Sequence, residues 1–215
     1  MENLAIIINS LFRADQYIDD MNFLAHLYLS GDQPAIMAGN FMGDFVKGKS
    51  YLQLYEADIV KGIELHRSID EFTDNHPIVT ESKNRLRPAY RHYSGVIVDV
   101  FYDHFLAHNW NTFHPEKLEV FAQKSYQIIL SFDPILPHEL KRMMPYMING
   151  NWLVSYRELE GIHRSLSGMA RRTPYDSKMD KAVTDLQEHY EAFKNEFMEF
   201  FPQLDAFCKA FLANN

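Results

Sequence analysis

The chain has 215 residues, 47% of them hydrophobic and 14% aromatic, with 29 acidic against 21 basic side chains and a net charge of −8. That length bounds the chain to one domain or two small ones, and its apolar content is ample for a packed core. Low-complexity disorder is excluded, and a single cysteine, Cys208, excludes a disulfide scaffold and fits a reducing compartment.

Such an acidic chain is not an obvious nucleic-acid binder, so none is expected as a partner. Ten histidines beside 29 carboxylates do supply many possible metal ligands.

From the N-terminus, LAIIINSLF is apolar but falls far short of the ~20 residues that span a bilayer. Glu2 stands where a signal peptide carries basic residues, and no small-residue cleavage site follows. Residues 1–20 therefore read as an extension outside a main fold running from Met21 to Asn215, with no targeting segment or membrane partner and a cytoplasmic location.

The remainder reads as helix after helix. A short helix from near Asn22 ends at Gly31, and Asp32 with Pro34 opens the next. A long helix is predicted from Ser50 to Asn75, stopped by Pro77, and Pro88 interrupts the segment after it. Residues 94–111 begin with β-branched residues, but the apolar pattern is too long for a strand and predicts a helix. Further helices are expected at 115–131, 137–148, 151–160, 161–172 and 177–200, with a last one after Pro202. No repeat, flexible linker or composition shift marks a second domain. The reading is one all-α domain.

The strongest chemical signal is ELHRSIDEFTDNHP, where His66, Asp70 and Asp74 recur every fourth residue and share one helical face. Imidazole and carboxylate together suit a divalent ion such as Mn, Fe or Zn. A second group, in VDVFYDHFLAH, sets Asp99 and Asp103 beside His104 and His108 in the most apolar helix of the chain. Burying a carboxylate there costs several kcal/mol unless a cation or donor compensates it. An arginine from another helix is one alternative; a metal shared with the first group is the stronger reading. His26, in the apolar NFLAHLYLS, and Asp44, in MGDFVKG, would complete such a site.

His92, His114, His138 and His189 read as surface residues. Cys208 has no nearby histidine, and neither GxSxG nor a phosphate-binding glycine loop is present. Lys83, Arg85, Arg87 and Arg91 form a basic run without an acid, and Arg164, Arg171 and Arg172 form another. Either could dock an anionic partner.

These segments resemble the acyl carrier protein phosphodiesterases. The resemblance rests on MNFLAHLYLS, GNFMGDFVKG, GIELHRSIDEFTDNHP, VIVDVFYDHFLAHNW, NWLVSYRELEGI and GMARRTP, and it covers Met21 to the C-terminus. It implies an all-helical variant of the His-Asp metal phosphohydrolase (HD-domain) fold. It also implies hydrolysis of the phosphodiester joining 4′-phosphopantetheine to a serine of holo acyl carrier protein, with Mn²⁺ as the metal. It maps Asp44, the run His66, Arg67 and Asp70, and the pair Asp103 and His104 onto family motifs, and it leaves residues 1–20 outside the pattern.

One or two ions held by His26, Asp44, His66, Asp99, Asp103 and His104 would then activate water. Asp70 or Asp74 would orient or deprotonate that water, and Arg67 would neutralise a phosphoryl oxygen. The carrier would dock on Lys83, Arg85, Arg87 and Arg91. Two other classes share parts of this pattern: a phosphohydrolase acting on nucleotides, and a helical protein that only binds the carrier.

Overall fold

The computed structural model describes residues 23–214, so the reading of residues 1–20 lies outside the described residues. Among the described residues, thirteen α-helices form one all-α domain and no strand occurs. Two short helices, α1 (Phe23–Leu29) and α2 (Pro34–Phe41), are followed by a 3-10 turn at Gly43–Phe45 and a single turn, α3 (Tyr51–Leu54). Next come α4 (Ala57–Asp74), α5 (Pro77–Tyr90), a 3-10 turn at Arg91–Tyr93 and α6 (Ser94–His108).

The second half holds α7 (Trp110–Phe113), α8 (Leu118–Ser131), α9 (His138–Asn149) and α10 (Trp152–Ser155). It closes with α11 (Leu159–Arg172), α12 (Ala182–Glu188) and α13 (Tyr190–Asn214).

Helix α6 is the central post. Ile97, Val98, Val100, Phe101, Phe105 and Leu106 are all fully buried, because α1, α5, α11 and α13 pack around it. A helix covered on most of its sides needs no wide polar stripe, which explains how a run rich in β-branched residues is helical here. Its rings meet those of α13: Phe101 lies edge-on to Phe193 at 5.2 Å, and Phe105 stacks near Phe197 at 5.9 Å.

Several boundaries differ from the sequence expectation; for instance, the helix expected over 177–200 breaks between Ala182–Glu188 and Tyr190–Asn214. The helix predicted over 50–75 breaks at Tyr55 and Glu56, whose extended backbone separates α3 from α4. Pro88 does not interrupt α5, which runs two residues further and stops only where Arg91 takes a positive φ of 54°. Pro202 lies within α13 rather than between two helices. An interior proline costs ~3 kcal/mol, and burial of Phe200, Phe201, Leu204 and Cys208 on both sides of it outweighs that.

The crossing of α2 and α4 sets up the site. A Cβ on Gly39 would stand 2.2 Å from the Ile59 carbonyl oxygen, and one on Gly62 would stand 2.2 Å from that of Ile36. Only glycine allows the two backbones to meet this closely. The contact draws α2, with the turn that follows it, against the face of α4 that carries His66.

Candidate metal centre

Four side chains from three segments converge. His26 comes from α1, Asp44 from the 3-10 turn after α2, and His66 and Asp70 from one face of α4. His66 Nε2 lies 2.9 Å from Asp44 Oδ1 and 3.3 Å from Asp70 Oδ2. His26 Nε2 lies 3.4 Å from Asp70 Oδ1, and the two imidazoles stack with centroids 4.1 Å apart. Both histidines are buried, whereas the Asp70 side chain is 46% exposed and opens the group to solvent. The candidate metal-binding triad among the described residues is His26, His66 and Asp70, with Asp44 against it.

The surroundings orient the His26 ring. Asn40 donates its amide to the His26 carbonyl and to Ser30 Oγ, so its own oxygen faces His26 Nδ1 at 2.8 Å. An oxygen can only accept there, so Nδ1 carries a hydrogen and Nε2 is the nitrogen that faces Asp70. A partner of this kind sets tautomer and ring orientation in histidine metal sites. His26 Nε2 is buried without a hydrogen-bond partner, an arrangement that a cation between it and the carboxylates would satisfy.

Electrostatics agrees with that fit. Burial alone would lower the His26 pKa, but Asp70, Asp44 and Asn40 more than offset it and raise it to about 9. For Asp70 burial pulls upward, and His26 and His66 outweigh it, leaving the pKa below the usual carboxylate value. Two carboxylates on two buried imidazoles form a negative pocket that attracts a proton or a divalent cation.

Gly43 and Arg67 place Asp44. A Cβ on Gly43 would stand 2.2 Å from the His66 ring, so the chain passes directly over the imidazole before presenting the carboxylate. Arg67 donates to the carbonyls of Val46 and Gly48 at 3.0 and 2.9 Å and lies 4.5 Å over the Tyr51 ring. The guanidinium thus clamps the loop after Asp44.

The second acidic-His group does not join the cluster. Asp103 is fully buried, and its two oxygens accept the Leu24 and Ala25 backbone N–H groups at 3.0 and 2.8 Å. These are first-turn donors of α1 that no intrahelical carbonyl can serve, so α6 caps the helix carrying His26. Burial pushes the Asp103 carboxyl up to about 7, against the pull of those two donors and of His26.

His104 faces Tyr156 and Tyr190. Its Nδ1 donates to the Tyr156 carbonyl at 2.8 Å and its Nε2 accepts from the Tyr190 hydroxyl at 3.1 Å. Burial lowers its pKa, and both nitrogens are spent on tying α6 to its neighbours. Asp99 lies one turn before Asp103, on a cavity wall described below.

Half of the expected docking run is also engaged internally. Lys83 is buried and pairs with Asp74 at 2.6 Å. Arg85 makes a two-pronged pair with Glu196 at 2.6 and 2.8 Å and lies 4.7 Å over the Phe193 ring. Arg87 and Arg91 remain exposed, with Arg87 held by Asn84 at 2.8 Å.

Beside the cluster opens a cavity of about 360 Å³ lined by Asp70, Thr73, Asp74, His92, Gly95, Val96 and Asp99. It shares Asp70 with the cluster, and its far wall is the turn between α5 and α6. Asn40 and the cavity face of His92 escaped the sequence reading. A lone asparagine in the otherwise apolar PAIMAGNF was the available signal for the first; nothing local signalled the second.

A family model described as acyl carrier protein phosphodiesterase matches residues 21–204, a span that contains every residue of the cluster and the cavity. The chain belongs to the acyl carrier protein phosphodiesterase family. It is similar to the acyl carrier protein phosphodiesterase of Enterobacter sp. (strain 638), at 37% identity over 86% of this chain and 95% of the relative. The phosphodiesterases of Photorhabdus laumondii and Escherichia coli O139:H28 are 35% and 34% identical, each over 86% of this chain and over 93% and 96% of their own lengths. No solved structure matches. Among the described residues of this family member, no helix is long and apolar enough to cross a membrane.

Proposed function

We propose that the chain hydrolyses the phosphodiester between 4′-phosphopantetheine and serine in holo acyl carrier protein, giving the apo carrier and free 4′-phosphopantetheine. The observation that carries this reading is the convergence of His26, Asp44, His66 and Asp70 beside an open cavity, in a chain of this family. Those four residues would hold Mn²⁺, and the bound ion supplies water activation and neutralisation of phosphoryl charge. A histidine followed four residues later by an aspartate on one buried helical face suits a variant of the His-Asp phosphohydrolase fold.

The remaining residues divide the other tasks. Asp70 lies between the two histidines, which leaves Asp74 on the cavity wall, paired with Lys83, to orient or deprotonate water. Asn40 and Asp103 keep His26 in place, and Gly43 and Arg67 do the same for Asp44. The experiment is incubation of purified protein with holo carrier protein and Mn²⁺, reading the carrier's mass. The mass falls by the prosthetic group with Mn²⁺ and stays constant in excess chelator; equal activity in chelator contradicts the metal reading.

Docking of the acidic carrier falls to Arg87 and Arg91, since Lys83 and Arg85 are paired inside. Arg91 directly precedes His92 on the cavity wall, so an acidic helix held there brings its serine toward the cluster. Reversing Arg87 and Arg91 to Glu raises KM for the carrier at least about tenfold, an effect that shrinks as salt screens charge over ~8 Å. Reversal at exposed Arg164 and Arg171 is the control. A KM that rises only in the control moves the dock to α11.

A further inference from the structure

We propose that His92 is a catalytic residue of this site, reaching the phosphodiester across the cavity and giving the leaving serine oxygen its proton. The inference deepens the carrier phosphodiesterase reading and rests on it.

The cavity is the first ground. At about 360 Å³ it falls within the range of small-molecule sites, and it joins Asp70 of the cluster to His92 on the opposite turn. Its other ionisable lining residues, Asp74 and Asp99, are carboxylates, so His92 is the one lining side chain with a ring N–H to give. A serine alkoxide is a poor leaving group, and a proton delivered as the bond breaks is the general remedy.

The backbone is the second ground. Arg91 adopts φ 54° and ψ −122°, a region that residues with a Cβ seldom occupy and that surrounding contacts must sustain. Its carbonyl accepts the Ser94 hydroxyl, closing the 3-10 turn Arg91–Tyr93 between α5 and α6. The imidazole of His92 rests against Tyr93, with ring centroids 3.9 Å apart. The strain thus turns His92 onto the cavity wall, where helix continuation would carry it elsewhere.

The third ground is that neither ring nitrogen of His92 has a hydrogen-bond partner among the described residues, whereas His104 spends both of its own. His92 is exposed and free to meet a substrate.

The step balances. Water oxygen bonds to phosphorus as the phosphorus–serine oxygen bond breaks, and water gives up one proton on the Asp74 side. His92 passes its proton to the serine oxygen and is reprotonated from solvent. The products are a phosphomonoester and a serine hydroxyl.

The test compares two substrates that differ only in leaving group: holo carrier protein, and the 4′-phosphopantetheine ester of p-nitrophenol, whose anion leaves without a proton. With Mn²⁺ present, His92→Ala lowers kcat on the holo carrier by about 10²–10⁴-fold and on the nitrophenyl ester by a much smaller factor. His92→Gln, which can donate a hydrogen bond but not the proton, behaves as His92→Ala does. Equal losses on both substrates, or rescue of carrier turnover by His92→Gln, overturn the proposal. Wild-type protein that cleaves the nitrophenyl ester but leaves the holo carrier intact brings down the carrier reading and the proposal together.

Discussion

His66→Ala removes turnover of the holo carrier while leaving the helical fold in place. The His66 ring is the hub of the cluster: its Nε2 faces both Asp44 and Asp70, and its plane stacks on His26. Loss of a mere partner of a ligand lowers metal affinity or activity about 10–100-fold, so loss of the ligand itself lowers kcat/KM by more than about a hundredfold. Asp70→Ala acts in the same direction, because Asp70 is the one carboxylate that faces both imidazoles. Neither change touches the α6–α13 core, so circular dichroism retains its helical signal. Near-normal turnover by His66→Ala places the chemistry elsewhere.

Asp103→Ala does the opposite, acting first on stability. The carboxylate is fully buried and satisfies two first-turn N–H groups of α1. Its removal strands both donors inside the protein, at a cost of ~1–3 kcal/mol for each. A total near ~3 kcal/mol lowers the midpoint of thermal unfolding by roughly 6–12 °C for a chain of this size. Since α1 carries His26, Mn²⁺ affinity falls with it. Asp103→Asn, which keeps one acceptor, loses less. Unchanged thermal stability combined with abolished Mn²⁺ binding makes Asp103 a ligand, as the sequence suggested, and not a cap.

That contrast locates what the sequence could convey. His66 and Asp70 were legible because a four-residue spacing fixes two side chains on one helical face whatever surrounds them. Asp103 and His104 lie apart from that cluster, with hydrogen-bond partners of their own. A buried carboxylate must be compensated, but the sequence does not disclose whether a cation or another helix's backbone N–H groups do so. The same holds for Lys83 and Arg85, whose partners Asp74 and Glu196 lie 9 and 111 residues away. Arg67 follows His66 directly but serves the loop behind Asp44.

The fold followed the same logic. All-α architecture was readable from length and periodicity, whereas the path through Pro202 depends on apolar contacts that only the packed molecule provides. His92 was rightly read as exposed. It lines its cavity just after the bend at Arg91, and a single φ value leaves no mark on composition or pattern.

The proposed function depends on a divalent cation held by His26, Asp44, His66 and Asp70 together. Electron paramagnetic resonance titration of Mn²⁺ into the metal-free protein measures it directly, because bound Mn²⁺ loses the sharp signal of the free ion. Wild-type protein is expected to remove the free-ion signal at low Mn²⁺, and His26→Ala, His66→Ala and Asp70→Ala each to shift that binding to much higher concentration. Wild-type affinity retained in all three variants contradicts it.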